Sequence, residues 1–477
     1  MPKKLQQITL GLVVFQLVFW TLIPLLAHHA PPLDATEMYG WSLSFQWGFY
    51  KHPPMPPWFL GLIQNIVGRN LFSLFLSASM VIGATYYCVA WLADRFLSEK
   101  EAVVALFLYA LTAYCNVWST DFNHNQMQMP FWALSLVCLV KTMDSGKYSW
   151  AIMLGCVMGL NALSKYTAAL IVPCALVLLI IAPRWRKKIR WQHLVLSSVV
   201  FLMVFGPHLY WLTQHHFMPL HYVNERFDEL KQTNRLLELL DFVANILLAH
   251  VMLILASLYA LKNGKPGHVI DQEDRLLVLV LGLGPVVITL VIGLFVPLYS
   301  RWVVPMLPMI SIVSALFLRG RLGTLYSKNA LILFLILQAL LGGAYLMKYQ
   351  INPNQSSRGN YPAPEIARQI NQEWQSMYPN HALKIVAGGE WGAGFVSLFS
   401  PEKVYVFTQA DTNLAPWITD IDIHDCGMVL VEPTPQELDK YPRVLAEKIL
   451  YIPSQNIKEP IAFHYAILPP QGECQLK

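Results

Sequence analysis

The chain has 477 residues, of which 55% are apolar and only 13% charged, and its mean hydropathy is +0.43. A water-soluble core does not need that much apolar surface, so an ordinary soluble globular protein is excluded and a bilayer must supply part of the solvent. The formal net charge of +5 comes mostly from Lys and Arg in short loops that face anionic headgroups, which gives no reason to expect a nucleic acid.

A helix needs about 20 apolar residues to cross the hydrocarbon. In chain order the apolar stretches predict eleven spans, at 8–27, 72–93, 101–118, 126–140, 150–163, 166–182, 193–211, 239–261, 276–298, 302–318 and 329–347. Basic residues crowd every second loop. With the N-terminus inside, the inner loops hold 17 Lys and Arg against 7 in the outer loops and helix mouths, which predicts a cytoplasmic N-terminus and an outer C-terminus. Lys3 and Lys4 precede the first apolar stretch as in a signal peptide, but Pro31, Pro32 and Asp34 follow it in place of a small-residue cleavage site. It is expected to stay as the first helix.

The outer loops 28–71 and 212–238 are long, whereas 119–125 and 299–301 are tight. Long loops gathered on one face build a site there. Loop 28–71 is too rich in Trp, Tyr and Phe for a solvated linker and is expected to lie in the membrane interface as amphipathic helices. Asn352, Pro353, Asn354, Gln355, Ser356 and Ser357 read as a linker, dividing a membrane domain (1–348) from a soluble α/β domain (349–477). In the latter, APEIARQINQEWQSMY and TPQELDKYPRVLAEKIL predict helices, and LKIVAGG, KVYVF, CGMVLVE and AFHYAIL predict strands. The run GGEWGAG reads as a tight strand-to-helix turn, since it lacks the spacing of a dinucleotide loop. Five cysteines fall inside spans, leaving Cys426 and Cys474 as the two that a disulfide could join on an oxidising face.

Asp34 and Glu37 are three residues apart at the start of the first outer loop, on one face if the segment is helical. They could cap a helix, or serve as a general base and a substrate-positioning group. Tyr50, Lys51 and His52 precede Pro53-Pro54, which stop a helix and fix Lys51 and His52 as an anion site; a snorkelling lysine is the plainer alternative. Asp121 and Asn125 bound the tight loop between the third and fourth spans, on the same face, where ordinary turn chemistry is again the alternative. His124 has no partner at metal-ligand spacing, so no metal site or cofactor is assigned and a divalent metal is left open. Lys165 stands between two spans near the outer boundary, where an ionisable residue suggests function. Arg226 and Arg301 complete an outward set of cations that suits an anionic, lipid-borne ligand.

These segments, in this order, resemble the bacterial members of the dolichyl-phosphate-mannose protein mannosyltransferase superfamily, relatives of the lipid A aminoarabinose transferases. The resemblance rests on the acidic pair Asp34 and Glu37, on Gly48-Phe49-Tyr50-Lys51-His52-Pro53-Pro54, and on Gly159-Leu160-Asn161-Ala162-Leu163-Ser164-Lys165-Tyr166. It continues through Gly206-Pro207-His208-Leu209-Tyr210-Trp211 with Asn224-Glu225-Arg226-Phe227, and Arg301-Trp302 with Pro305 and Pro308. One departure is that much of the family has adjacent Asp-Glu, whereas Ala35 and Thr36 separate the pair here, which leaves open which carboxylate works.

The resemblance implies a polytopic α-helical membrane protein of the GT-C glycosyltransferase fold, with the C-terminal α/β domain in the periplasm and the chain in a bacterial inner membrane. It implies an inverting transfer of a sugar from a polyprenyl-phosphate-linked donor to a lipid or glycan acceptor such as lipid A. Asp34 and Glu37 would then be catalytic, Lys51, His52, Lys165, Arg226 and Arg301 would hold the donor phosphate, and Tyr50, Asp121, Asn125, Tyr166 and Trp302 would line the substrate pocket. A transporter or flippase of a lipid-linked glycan would also need a cationic cavity, but no internal repeat or matched pair of broken helices is evident in the sequence.

Overall fold

The computed structural model describes residues 1–229, 234–267, 270–350, 358–453 and 460–476; the predicted linker at 352–357 lies outside them. The helical part runs α1 (Lys3–Ala27), α2 (Leu33–Ser42), α3 (Met55–Val67), α4 (Leu71–Phe96), α5 (Glu99–Ala110), α6 (His124–Ser145), α7 (Tyr148–Ser164) and α8 (Ile171–Ile181). It continues with α9 (Pro183–Lys188), α10 (Trp191–Gln214), α11 (Met218–Glu229), α12 (Arg235–Ala249), α13 (Val251–Asn263), α14 (Gln272–Gly293), α15 (Ile310–Phe317) and α16 (Lys328–Gln350).

Among the described residues, α1, α4, α10, α14 and α16 are each long and apolar enough to cross a bilayer. Two of the predicted spans are broken. The one at 239–261 is the pair α12 and α13, bent by 67° at His250, whose ring bonds the Ile246 carbonyl (2.7 Å) and the Tyr114 hydroxyl (3.0 Å). The one at 302–318 is a short helical turn, Ser300–Met306, followed by α15 at 76°, in a stretch where Pro305 and Pro308 remove backbone donors. The span predicted at 101–118 ends as α5 at Ala110 and passes into a short turn, Ala113–Cys115.

Helix α4 packs between α1 and α6, and α7 packs between α6 and α10. The last contact is close because Gly155 and Gly159 face α10: a Cβ on them would lie 2.3 Å from the Ser197 carbonyl oxygen and 2.7 Å from Val204, the small-xxx-small arrangement that lets membrane helices approach. At one end of the bundle the basic loops are tied by ion pairs. Arg95 binds Asp144 (2.7 Å) and Asp274 (3.3 Å), Lys188 binds Asp144 (3.0 Å), and Arg184 binds Asp271 (2.8 Å) and Asp274. The α-amino group of Met1 joins this end through Asp94 (3.1 Å). Loops 28–54 and 119–125 and residues 165 and 301 lie at the opposite end.

The C-terminal sheet domain caps that opposite end. It contains α17 (Ala363–Met377), β1 (Ile385–Gly388), α18 (Glu390–Phe399), β2 (Tyr405–Thr408), α19 (Asp420–Cys426), β3 (Met428–Val431), α20 (Pro435–Lys440), β4 (Lys448–Ile452) and β5 (Ile461–Leu468). The strand order is β2-β1-β3-β5-β4, with β1 parallel to β2 and β3, and β5 antiparallel to β3 and β4. The predicted turn at GGEWGAG is where β1 gives way to α18. The helix predicted over TPQELDKYPRVLAEKIL is corrected: Thr434 caps α20 as expected, but the helix stops at Lys440 ahead of Pro442, and Lys448–Ile452 pairs with β5 as a strand.

Cys426 and Cys474 are joined in a disulfide across 48 residues, tying the end of α19 to the C-terminal tail. Replacing both with Ser is expected to cost the sheet domain about 2–4 kcal/mol by loosening its unfolded chain. Thermal unfolding of the full chain followed by limited proteolysis would show it as earlier cleavage after residue 358, with the helical bundle still intact.

Candidate active site

Helix α2 begins behind Pro31 and Pro32, with Pro32 in the N-cap position and no side-chain cap of its own, so the capping alternative for Asp34 does not hold. The cap comes from elsewhere: Asp121 Oδ1 accepts the Ala35 backbone N–H at 2.8 Å. Asn123 Oδ1 caps α6 by accepting the Asn125 N–H (2.9 Å) and the Gln126 N–H (3.2 Å), and its Nδ2 donates to Asp34 Oδ2 at 2.9 Å. One short loop therefore starts two helices and orients the Asp34 carboxylate. Burial and the nearby Asp34 push the Asp121 carboxyl well above its usual range, against the pull of Arg301. Asp121 thus acts on α2.

Between α2 and α3 the chain turns at Phe49–His52, where the Phe49 and His52 backbones bond each other in both directions (3.0 and 3.2 Å). Tyr50 and Lys51 occupy the tip. The turn is held by Phe49 stacked on Trp41 of α2, with centroids 4.7 Å apart. Lys51 Nζ donates to Glu37 Oε1 (2.6 Å) and to Glu390 Oε1 of α18 (2.7 Å), and the Tyr50 hydroxyl donates to the same Glu390 oxygen. Burial pushes the Glu37 carboxyl up to about 7 against the pull of Lys51. For Lys51, burial is outweighed by Glu37, Tyr50 and Glu390, so its ammonium is held above its ordinary value.

Lys165 follows the last residue of α7 and donates from Nζ to Asn125 Oδ1 at 2.5 Å, over the Trp302 ring at 5.3 Å. Burial lowers its pKa to about 7, with Asp34 pulling the other way. Asp34, Asn125, Lys165, Trp302 and the exposed Arg301 are thus brought together at one mouth, next to the Glu37–Lys51–Glu390 cluster on the same face of α2. His52 lies against His124, ring centroids 4.0 Å apart. Burial, His124 and the neighbouring lysines push the His52 ring well below its ordinary value, so it brings a neutral hydrogen-bonding ring and no charge. Tyr166 is engaged elsewhere: its hydroxyl donates to His208 Nε2 (2.9 Å), whose Nδ1 donates to the Trp47 carbonyl (2.6 Å). Arg226 lies in α11, its side chain outside the described residues. Among the described residues, no group of three or more His, Cys, Asp or Glu stands where it could hold a metal ion.

Asn123 and Glu390 are site neighbours that the sequence did not single out. The signal for Asn123 was present, as the residue before a helix inside a polar loop; Glu390 gave none, lying 339 positions from Lys51.

The sheet domain docks through α18 on α2. Trp391 Nε1 donates to the Pro31 carbonyl (2.9 Å), the Tyr39 and Ser397 hydroxyls meet at 3.1 Å, and a Cβ on Gly394 would lie 2.3 Å from Thr36 Cγ2. Gly394→Val is therefore expected to separate α18 from α2 while leaving both helices formed. A several-fold faster protease cut between bundle and sheet domain would report it; an unchanged digestion pattern would show that the contact does not hold them together.

This architecture, a helical membrane bundle with its polar mouth capped by a small sheet domain, is the GT-C fold. The chain is similar to ArnT from Cupriavidus metallidurans bound to undecaprenyl phosphate, at 14% identity over 97% of this chain and 99% of that one, with a TM-score of 0.64. The apo state of the same protein matches over the same shares at 14% identity, with a TM-score of 0.61. Residues 51–211 match the family model of dolichyl-phosphate-mannose-protein mannosyltransferases, a stretch that opens at Lys51 and closes at Trp211. The resemblance read from the motifs is borne out. No curated protein sequence matches the chain.

Proposed function

We propose that the chain is an inverting glycosyltransferase that moves a sugar from a polyprenyl-phosphate-linked donor to a periplasmic-side acceptor such as lipid A or another envelope glycan, in a bacterial inner membrane. The observation that carries the reading is the convergence of the Asp34 carboxylate with Lys165 and Arg301 at one mouth, beside Lys51, in a fold shared with a protein that binds undecaprenyl phosphate. In the reaction an acceptor oxygen attacks the anomeric carbon, the bond from that carbon to the phosphate oxygen breaks, and its electron pair leaves with the phosphate. Lys51, Lys165 and Arg301 stabilise that charge where it develops.

The two carboxylates have different partners. Glu37 is paired with Lys51, whereas Asp34 is steadied by the neutral amide of Asn123, so Asp34 takes the proton of an acceptor hydroxyl. With a phosphate acceptor no proton has to be removed, and Asp34 orients the sugar. The basic loops at the opposite end support a cytoplasmic N-terminus and an outward-facing sheet domain. Mass spectra of lipid A and envelope glycans from cells carrying the wild-type chain or Asp34→Asn test the acceptor class: a sugar-sized mass present only with wild type supports it, and identical spectra remove it.

A further inference from the structure

We infer that Glu390, contributed by the sheet domain, is a positioning residue of the transfer site: by sharing the Lys51 ammonium with Glu37 it aims Lys51 at the donor phosphate. The inference rests on the function proposed above and adds to it that the site is built by both domains. An ammonium has three N–H donors. Glu37 and Glu390 accept from Lys51 at 2.6 and 2.7 Å, which leaves the third donor for a phosphate oxygen. Tyr50, bonded to the same Glu390 oxygen, closes the other side, and the Tyr222 ring of α11 lies 5.5 Å from Lys51 Nζ.

The position of Glu390 in the sheet supports the same role. From β1 the chain passes to β2 on one side and later to β3 on the other. The carboxyl ends of β1 and β3 therefore flank the point where the strand order reverses, which is where open α/β sheets hold ligands. Glu390 is the second residue beyond β1. Glu432 follows β3 with a left-handed φ of 46°, and its Oε2 lies 3.3 Å from where a Cβ on Gly392 would sit. Glu390 meets Lys51 from this end of the sheet.

Two carboxylates around one ammonium leave a negative charge that opposes an arriving phosphate unless one of them carries a proton. Glu37 is the one that burial favours for it. The charged and titratable groups facing it are Lys51 and Tyr50 from the turn, Glu390 from α18 and Asp34 from its own helix. Glu390 helps keep that proton on Glu37, so Glu390→Gln should release it at lower pH.

The test is binding of undecaprenyl phosphate to the full chain in nanodiscs across pH 5.5 to 8.5, for wild type, Glu390→Gln and Glu390→Asp, with thermal unfolding as the check on folding. Wild-type affinity is expected to fall as pH rises through about 7. In Glu390→Gln the midpoint should move down by on the order of one pH unit, and Glu390→Asp, which keeps the charge, should restore it. The ionisation of the phosphate is common to all three and cancels. Wild-type binding with an unmoved midpoint in Glu390→Gln overturns this inference alone; a wild-type chain that does not bind the probe overturns the proposed function and this inference with it.

Discussion

Asp34→Asn is expected to lower the rate of sugar transfer by about 10²- to 10⁴-fold, the usual scale for losing a positioned general base, while undecaprenyl phosphate still binds. The amide is close in size to the carboxylate and can still bond Asn123, so α2 and its neighbours should stay in place. What is lost is the group that receives the acceptor proton. Glu37→Gln should behave differently, because Glu37 accepts from Lys51: its main effect should be on donor affinity and its pH dependence. Steady-state kinetics on both variants separate the roles. If the Gln variant loses turnover at saturating donor while the Asn variant keeps it, the roles of the two carboxylates are reversed.

Lys51→Met is expected to damage both stability and function. It leaves Glu37 and Glu390, both mostly buried, facing each other without their shared cation, and breaking a buried pair in this way costs about 3 kcal/mol or more. The pH dependence follows from the sign of the Glu37 shift. Its pKa in the folded chain stands near 7, above the ordinary carboxyl value, so the folded form is favoured while Glu37 holds its proton and loses that support as pH rises through 7. Removing Lys51 takes away the interaction that opposed the shift. The gap in thermal stability between wild type and variant should therefore narrow towards pH 5 and widen above 7, as differential scanning fluorimetry in detergent would show. A deficit that does not change with pH would mean that Glu37 and Lys51 are not coupled in this way. Transfer should fall by about 10²- to 10³-fold, as expected when a group stabilising the departing charge is lost.

The sequence carried the membrane architecture because bilayer crossing depends on length and apolarity, which are local properties. It did not carry the breaks at His250 and around Pro305 and Pro308, where a long apolar stretch hides a change of direction set by side-chain bonds and missing backbone donors. The error at 434–450 is of the same kind: a capped start and helical periodicity outweighed Pro442, and the pairing of Lys448–Ile452 with β5 depends on a strand that comes later in the chain. Within the site, Asp34, Glu37, Lys51 and Lys165 were legible because charged residues beside apolar spans are costly and need a reason. Which of them share a partner was not legible. Lys51 meets Glu37 across 14 positions and Glu390 across 339, and only the docking of α18 on α2 puts Glu390 there. His52 and Asp121 were named for the donor phosphate and the pocket, and their residue types did not foretell that burial holds the His52 ring neutral or that Asp121 accepts the Ala35 N–H at the start of α2.

The measurement that bears most directly on the central claim is release of undecaprenyl phosphate from undecaprenyl-phosphate-linked sugars in a bacterial lipid extract, supplied with envelope lipids as acceptors to the purified chain in liposomes. Release by the wild-type chain is expected with matching sugar gain on an acceptor, and at least about a hundredfold slower release by Asp34→Asn. Equal release by the wild type and by the Asp34→Asn, Glu37→Gln double variant would contradict it.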